Sequence, residues 1–391
     1  MGQSLGQAGN YRLDRLASLA DKSRRYGLAD SLSPRHTRPM HRTDLPPADS
    51  DARLDEVVAW LAGTTTSSGG NWTHIASASE DASFRRYFRV TAESGATAIV
   101  MDAPPPAEDV RPFVNMTRLL ASGGVHVPLI LARDEARGFL LLDDLGRTTY
   151  LAALGEASER ERQALFVDAI ASLVRLQQID PLQAATALPK YDAALLRREI
   201  KLFPDWYLDR HLNAEISDSE KNALERVYAA LIASALAQPT VLVHRDYMPR
   251  NLMVTPERNP GVIDHQDAVI GPITYDVASL MRDAFLTWEE PQIIDWVARY
   301  WDQAKLAGLP VRADFSEFYR EMEWMGLQRH LKVLGIFARI NYRDGKPKYL
   351  ADATRFVQYV RHVARRYQAF TPLLRLFDRL ENVAVKVGYT F

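Results

Sequence analysis

The sequence contains no cysteine, and this absence excludes disulfide bonds, thiolate catalysis and cysteine-based zinc sites. Its net charge is −1, from 48 basic and 49 acidic residues, so it offers no overall basic field for nucleic acid and no acidic tail. No apolar run approaches the roughly twenty residues of a membrane span, and no signal-peptide pattern opens the chain. We therefore expect a cytoplasmic protein without a nucleic acid, membrane or obligate protein partner.

One motif carries more chemical information than any other part of the sequence. It spans residues 244–251 in the pattern His-x-Asp-x-x-x-x-Asn, and Asp264 follows at the end of a short apolar run. Phosphoryl transfer from ATP needs such residues, because one carboxylate orients and deprotonates the attacking hydroxyl while an amide oxygen and a second carboxylate hold Mg²⁺. We predict a kinase with Asp246 as the catalytic residue. Asn251 and Asp264 are the expected Mg²⁺ ligands, and His244 is expected to brace the loop.

The same region allows a second interpretation. His244, Asp246 and His265 would also suit the transition metal of a hydrolase. No further histidine or carboxylate pair at metal-ligand spacing accompanies them in the sequence. The kinase interpretation is therefore favoured.

The chain divides into three segments of different character. Residues 1–50 are rich in Arg, Ser, Gly and Pro, and they predict a disordered N-terminal extension in which Met40 is an alternative start of translation. Residues 51–143 contain short strand-like segments around turns, as expected for a small nucleotide-binding N-lobe. Residues 144–391 contain long helical periods and predict a C-lobe that carries the catalytic loop and the acceptor site.

Two capping boxes support the helical assignment of the C-terminal part. Ser158 is followed three residues later by Glu161, and Ser217 by Glu220, a spacing that marks helix starts. With 391 residues, 47% of them hydrophobic, the chain can bury the cores of two lobes. We predict an α+β fold of the protein-kinase-like, two-lobe type, with a small β-rich N-lobe and a larger, mostly helical C-lobe. ATP is expected in the cleft between them.

Several motifs resemble the aminoglycoside phosphotransferase/choline kinase superfamily, which shares the protein-kinase-like fold. They lie at residues 244–251, 263–264 and 271–278. The resemblance implies that the last motif opens a helix whose aspartate, here Asp276, braces the catalytic loop. Four further segments carry a closer resemblance, at residues 81–89, 101–105, 265–267 and 328–335. They resemble the N-acetylmuramate/N-acetylglucosamine anomeric kinases, which phosphorylate the sugar C1 hydroxyl in bacterial cell-wall recycling.

The resemblance implies a small-molecule sugar kinase that uses Mg²⁺ and ATP. We expect nucleotide contacts from the first strands and from the connector between the lobes. These candidates are Ser83, Arg85, Arg86, Arg89, Asp143, Asp144 and Leu145. Acceptor contacts are expected from the catalytic loop and the C-terminal helices. These candidates are Arg250, Gln266, Asp267, Trp324, Gln328 and Arg329. For each acceptor candidate, packing, loop structure or a solvated surface position is the alternative explanation.

The chain departs from the kinase pattern on the third strand. Protein kinases place a lysine there to hold the nucleotide phosphates, and this lysine pairs with a glutamate on the following helix. The matching position here is about Met101, and no lysine occurs between Lys22 and Lys190. Either the three arginines among the nucleotide candidates supply the positive charge, or the protein is a nucleotide-binding pseudokinase.

Three function classes remain open from the sequence. A kinase of an N-acetylated amino sugar leads, and a kinase of an aminoglycoside or another small-molecule hydroxyl is the near alternative. A pseudokinase is the third. The C-terminal helices carry many Arg and Lys residues, which favours a neutral or anionic acceptor over a cationic one. The sequence does not distinguish ATP from GTP or one sugar from another.

Overall fold

The computed structural model describes residues 40–47, 50–64, 71–80 and 84–381, which belong to one compact unit, Met40–Phe391. No helix in this part of the chain is long and apolar enough to cross a membrane. Most of the predicted N-terminal extension, residues 1–39, lies outside the described residues, and so does the nucleotide candidate Ser83.

A six-stranded sheet forms the N-terminal part of the fold. Its strands are β1 (His41–Thr43), β2 (Trp72–Glu80), β3 (Arg86–Ala92), β4 (Thr97–Asp102), β5 (Ile130–Asp134) and β6 (Phe139–Asp143). Their order in the sheet is β1-β2-β3-β4-β6-β5, and all neighbours are antiparallel except the parallel pair β1 and β2. β1 lies inside the segment for which the sequence predicts disorder. A strand of three residues has too few positions to show a period of two, and its pairing with β2 orders it instead.

One helix packs on each face of this sheet. Helix α1 (Ala52–Gly63) packs Val57 and Leu61 against Val90 and Val100 on one face. Helix α2 (Arg111–Ser122) packs on the other face. Successive residues of a strand point to opposite faces, so the face that each β3 and β4 side chain occupies follows from its position. This alternation places Arg86 and Arg89 on opposite faces of β3.

The C-terminal part is mostly helical, as the sequence predicts. Its helices are α3 (Tyr150–Glu156), α4 (Glu159–Gln177), α5 (Ala193–Ile200), α6 (Asp218–Leu236), α7 (Tyr275–Met281), α8 (Glu290–Leu306), α9 (Phe315–Asp344), α10 (Ala353–Arg366) and α11 (Thr371–Leu380). Helices α4 and α6 begin at the predicted capping boxes of Ser158 and Ser217. Phe203–His211 is a π-helix. The α+β fold class is confirmed, whereas the lobe boundaries at residues 50 and 143 remain predictions.

Two pairs of short strands frame the catalytic motif. They are β7 (Thr240–Val243) with β10 (Val269–Pro272), and β8 (Leu252–Met253) with β9 (Gly261–Val262), both antiparallel. The motif runs from β7 to β8, and its last three residues, Pro249–Asn251, form a 3₁₀ turn. The β8–β9 hairpin therefore returns the chain to the end of the motif, as the turn residues between the strands predict.

Helix α9 lies between two helical cores. One core combines side chains from α4, α7 and α8 with the strand β7, and the stacked rings of Phe166 and Trp296 lie in it with their centroids 3.7 Å apart. The other core combines α6, α10 and α11. Both cores contain residues of α9, so this helix is buried along much of its length. It therefore brings polar side chains to the catalytic loop from inside the protein.

Candidate active site

The buried carboxylate of Asp276 holds the start of the catalytic loop. It accepts hydrogen bonds from the backbone N–H groups of His244 (2.6 Å) and Arg245 (3.0 Å). Arg245 has a φ of +77°, in the left-handed region that an arginine rarely adopts. Burial raises the pKa of Asp276 to about 7, although these hydrogen bonds oppose the shift. The first turn of α7 thus fixes the backbone immediately before Asp246.

His244 is a neutral brace in this structure. Its Nδ1 accepts a hydrogen bond from the Asp246 N–H (3.3 Å), and its Nε2 lies 3.1 Å from the carbonyl oxygen of Ile263. This pairing needs a proton on Nε2 and none on Nδ1, which is the neutral form. Burial agrees, because it lowers the pKa of His244 to about 4. The histidine therefore ties Asp246 to the residue before Asp264.

These contacts argue against the metal-dependent hydrolase. Both ring nitrogens of His244 are engaged within the protein, and the Nε2 of His265 lies 2.8 Å from the Thr117 hydroxyl. In the described part of the chain, one group of three potential ligands lies close enough to hold a metal ion. It consists of Glu290, Glu323 and His362, none of which belongs to the loop. Its two carboxylates already bind the guanidinium of Arg366.

Asn251 and Asp264 are brought together by the β8–β9 hairpin. The Ile263 N–H donates to the Asn251 carbonyl (3.1 Å), which pairs the ends of the hairpin. The Asn251 Nδ2 donates to the Asp246 carbonyl (2.9 Å) and lies 3.3 Å from Asp264 Oδ2. The Gln266 Nε2 donates to Asp264 Oδ1 (2.7 Å). The amide group of Asn251 and the carboxylate of Asp264 therefore lie side by side, and amide and carboxylate oxygens are ligand types that Mg²⁺ takes.

Asp246 lies in front of a buried ionic network. Its side chain is 44% exposed, and its Oδ1 is 3.7 Å from Nη2 of Arg329, which is 3% exposed. Lys332, one turn further along α9, pairs with Glu199 (2.9 Å). Glu199 also pairs with Arg245 (2.6 Å), the residue before Asp246. The network leaves the carboxylate of Asp246 open on one side and opposed by buried positive charge on the other.

A cleft of about 550 Å³ begins beside Asn251 and Asp264 and extends to the sheet. Apolar side chains and the connector between the two parts of the fold form its far end. The described residues of that end include Ile99, Leu142, Asp143, Asp144, Leu145, Gly146, Thr149 and Leu151. Four of the predicted nucleotide residues line the cleft: Arg89, Asp143, Asp144 and Leu145. This combination of apolar walls and a few polar groups is typical of small-molecule sites.

The connector is held to the sheet by Arg89. Its guanidinium makes a two-pronged ion pair with Asp144 (2.6 and 2.9 Å) and donates to the Gly146 carbonyl (2.6 Å). Both partners of the ion pair are largely buried. The carboxylate of Asp143 accepts a hydrogen bond from the Leu129 N–H, and burial raises the pKa of this carboxyl group. These contacts give the cleft a rigid edge.

Arg86 does not reach the cleft. It occupies the face of β3 that packs against α1, and it pairs there with the fully buried Asp102 (2.7 Å). It also pairs with Asp51, the N-cap of α1. The period of two along a strand sends Arg86 and Arg89 to opposite faces. Arg85, which precedes the strand, pairs with Glu108 (3.0 Å) and is not part of the described cleft lining.

Some of the acceptor candidates lie at the loop or the cleft, and others pack elsewhere. Arg250 lines the cleft, Gln266 orients Asp264, and Arg329 lies beside Asp246. Trp324 packs its ring 4.6 Å from that of Phe370 in the helical core.

Gln328 is fully buried, and it precedes Arg329 on α9, so the two side chains leave the helix about 100° apart. Neither Trp324 nor Gln328 belongs to the described lining of the cleft. The carbonyl of Asp267 lies 3.5 Å from Nη1 of Arg245, at the margin of hydrogen-bond distance.

An apolar contact replaces the ion pair that protein kinases make between the third strand and the next helix. Met101 is 1% exposed, and it packs in one cluster with Phe113 and Val114 of α2. No lysine stands at this position to reach the phosphates.

The sequence did not indicate two members of the buried ionic network, Glu199 and Lys332. The only signal for Lys332 is its place one turn after Arg329 in the motif at residues 328–335.

Known proteins resemble this chain in sequence and in fold. A family model described as the phosphotransferase enzyme family matches residues 74–315. An N-acetylmuramate/N-acetylglucosamine kinase of Pseudomonas putida is 49% identical over 340 residues, which cover 85% of this chain and 98% of that protein. A kinase of the same name from Pseudomonas aeruginosa is 50% identical over 324 residues, which cover 81% of this chain and 94% of that protein.

A solved structure confirms the fold independently. The ADP-bound aminoglycoside phosphotransferase APH(2'')-Ib matches with a TM-score of 0.55 at 14% sequence identity, over 79% of this chain and 97% of that one. At this identity the match shows a shared fold alone, whereas the family match and the two relatives extend to sequence. The chain belongs to the phosphotransferase enzyme family.

Proposed function

We propose that this protein is an ATP-dependent kinase that phosphorylates the anomeric C1 hydroxyl of N-acetylmuramic acid, N-acetylglucosamine or both. The observation that carries the proposal is the position of Asn251 and Asp264 at one end of a cleft, with the Asn251 amide donating to the backbone carbonyl of Asp246. The two relatives named N-acetylmuramate/N-acetylglucosamine kinase match the chain over nearly their whole length. The reaction belongs in the bacterial cytoplasm, where the sugar would come from cell-wall recycling.

Asp246 is the proposed base. Its half-exposed carboxylate accepts the proton of the C1 hydroxyl as that oxygen attacks the γ-phosphorus of ATP in line. The bond from the γ-phosphorus to the β,γ-bridging oxygen breaks, and the products are ADP and the sugar 1-phosphate. A positioned base of this kind contributes on the order of 10²–10⁴-fold to the rate. The anomeric hydroxyl is more acidic than an ordinary alcohol, so a carboxylate is a sufficient base.

Asn251 and Asp264 would hold Mg²⁺. The donor set fits, because it combines one amide oxygen with one carboxylate whose other oxygen is oriented by Gln266. The ion supplies charge neutralisation at the nucleotide phosphates when it is bound. The hydrogen bond from Asn251 to the Asp246 carbonyl keeps the proposed ligands and the base in one rigid unit.

The nucleotide base is proposed to lie against the connector of residues 143–147. Ile99 and Leu142 provide apolar surface there, and the Arg89–Asp144 pair holds the backbone in place. This arrangement supports the division into an N-lobe of residues 51–143 and a C-lobe of residues 144–391. The aminoglycoside phosphotransferase APH(2'')-Ib, which shares this fold, was solved with ADP bound.

The deciding experiment is an NMR assay of the products. The protein would be incubated with Mg-ATP and, separately, with N-acetylmuramic acid, N-acetylglucosamine, glucose and kanamycin. We expect ³¹P and ¹H spectra of an anomeric sugar phosphate from the N-acetyl sugars alone, and its loss in Asp246→Asn. Phosphorylated kanamycin would instead indicate an aminoglycoside kinase. Nucleotide binding without any product would indicate a pseudokinase.

A further inference from the structure

The arginines near the sheet are already committed to carboxylates. Arg89 is bound by Asp144 and Arg85 by Glu108, while Arg86 lies on the far face of the sheet. A nucleoside triphosphate such as ATP carries about four negative charges, and Mg²⁺ offsets two of them. With Met101 in place of the kinase lysine, additional positive charge has to come from other residues of the cleft.

Three cations that line the cleft have no carboxylate partner among the described residues: Arg147, Arg250 and Lys348. Arg147 belongs to the connector, where the nucleotide base is proposed to lie, so Arg250 and Lys348 are the candidates for the phosphates. Arg250 immediately precedes Asn251, and its guanidinium carbon lies 5.4 Å from the centre of the Phe285 ring. Lys348 lies in the 3₁₀ helix Pro347–Asp352, with its Nζ 5.9 Å from the ring of Tyr349. Both cations, and both rings, line the same cleft as Asp264.

The helical core determines the position of Lys348. The 3₁₀ helix that carries it joins α9 to α10, and the neighbouring Tyr349 packs its ring 5.8 Å from that of Phe337. Lys348 itself is exposed, so its ammonium group keeps its hydration until a ligand arrives. Packing therefore fixes the backbone of Lys348, whereas its ammonium group is exposed to solvent.

We propose that Arg250 and Lys348 form an anion subsite that takes over the charge role of the third-strand lysine. The subsite grips the anionic oxygens of the nucleotide phosphates beside Asn251 and Asp264. An arginine offers a planar fork to such oxygens and a lysine a mobile point charge. The nucleotide as ligand rests on the proposed function. The same chemistry also suits the lactyl carboxylate of N-acetylmuramic acid, so the test separates the two sources.

The first arm of the test measures nucleotide binding without catalysis. Lys348→Ala and Arg250→Ala would be titrated with Mg-ADP and with adenosine, by competition against a fluorescent ADP analogue. We expect each variant to weaken ADP binding by about 10- to 150-fold, the range of one hydrogen bond to a charged group, and to leave adenosine binding unchanged. Lys348→Arg should restore most of the affinity. Lys346→Ala is the matched control, because Lys346 is exposed near Lys348 but is not part of the described cleft lining.

The second arm compares KM for N-acetylmuramic acid and N-acetylglucosamine. A rise for the anionic sugar alone, with unchanged ADP binding, would assign the subsite to the acceptor carboxylate and overturn its assignment to the phosphates. Variants that match Lys346→Ala in both arms would overturn the subsite itself. ADP binding does not depend on which sugar is phosphorylated, so failure of the proposed function leaves the first arm interpretable.

Discussion

The backbone N–H of His244 donates a hydrogen bond of 2.6 Å to the carboxylate of Asp276, 32 residues later in the chain. The next N–H, that of Arg245, donates to the same carboxylate at 3.0 Å. Left-handed backbone at a non-glycine residue costs about 1–2 kcal/mol, and Arg245 has this conformation. Asp276 therefore stabilises a backbone turn that the loop sequence alone would not favour, and Asp246 follows directly after this turn.

Asp276→Asn should separate loop geometry from nucleotide binding. An asparagine has one acceptor oxygen, so one of the two N–H groups would face its NH₂ group and lose its partner. We expect a loss of about 1.5–3 kcal/mol in the free energy of unfolding, and a drop of at least tenfold in kcat. Nucleotide affinity should change less than twofold. Urea unfolding, steady-state kinetics and ADP binding test this, and an unchanged kcat would refute the bracing role.

Asp246→Asn should remove catalysis while the fold persists. The substitution keeps the size of the side chain and deletes the proton acceptor, so we expect kcat to fall by about 10²–10⁴-fold. Asp246 is half-exposed, so the Tm should change little. The exposed Asp302→Asn is the control for a lost surface carboxylate. Equal kcat values for the two variants would exclude Asp246 as the base.

The Arg89–Asp144 pair should contribute more to stability than an exposed pair. Loss of one partner leaves the other charge largely buried, and such losses cost about 3–5 kcal/mol. We expect Arg89→Met to lower the free energy of unfolding by that order and to raise KM for ATP, because the connector loses its anchor. The control is Arg299→Met on α8, whose pair with Asp295 is half-exposed and is worth well under 1 kcal/mol. Similar losses in the two variants would contradict the anchoring role.

Buried histidines should make stability fall in acid. Burial lowers the pKa of His244 to about 4 and that of His265 to about 3, both below the ordinary value of about 6.5. Between pH 6.5 and about 4, the unfolded chain therefore binds a proton at each of these positions and the folded chain does not. The free energy of unfolding therefore rises with pH across this window, and this stabilisation is lost as the pH falls from 6.5 to about 4. Asp276 acts in the opposite direction, because its raised pKa favours proton binding by the folded state.

His265→Gln isolates one of these contributions. Glutamine keeps a polar group near Thr117 and carries no titrating proton. We expect the slope of the unfolding free energy against pH between 6.5 and 4 to become shallower by about 1.4 kcal/mol per pH unit, which corresponds to one proton. Urea titrations at a series of pH values measure this slope. A slope equal to that of the unsubstituted protein would show that His265 is not held neutral.

The placement of Asp264 beside Asn251 was predictable because its information is local. Asp246 and Asn251 lie five residues apart, and the turn residues before Gly261 predict the hairpin that returns Asp264 to Asn251. The capping boxes at Ser158 and Ser217 are equally local, and both helices begin there. Such features depend on hydrogen bonds within a few residues, so they can be read from spacing alone.

The arginines of β3 show where spacing stops being informative. Arg86 and Arg89 lie on opposite faces because a strand alternates, but the sequence does not say which face borders the cleft. That choice depends on α1, whose apolar side chains cover the Arg86 face. For a related reason, Arg329 lies beside Asp246, whereas Trp324 packs in the helical core and Gln328 is fully buried. A helix turns about 100° per residue, and only packing decides which side faces the loop.

The sequence by itself determined the kinase motif, the family and the division into a β-rich part and a mostly helical part, because these follow from residue types at short range. The tertiary structure decided which charges meet. Arg329 reaches Asp246 directly, and Lys332 is linked to Arg245 through Glu199. Lys348 reaches the cleft from a segment about a hundred residues beyond Asp246. These contacts exist because the two helical cores fix α9 and its connection to α10. Burial of apolar surface is non-directional and is summed over the whole core, so no short stretch of sequence encodes the pairs that it brings together.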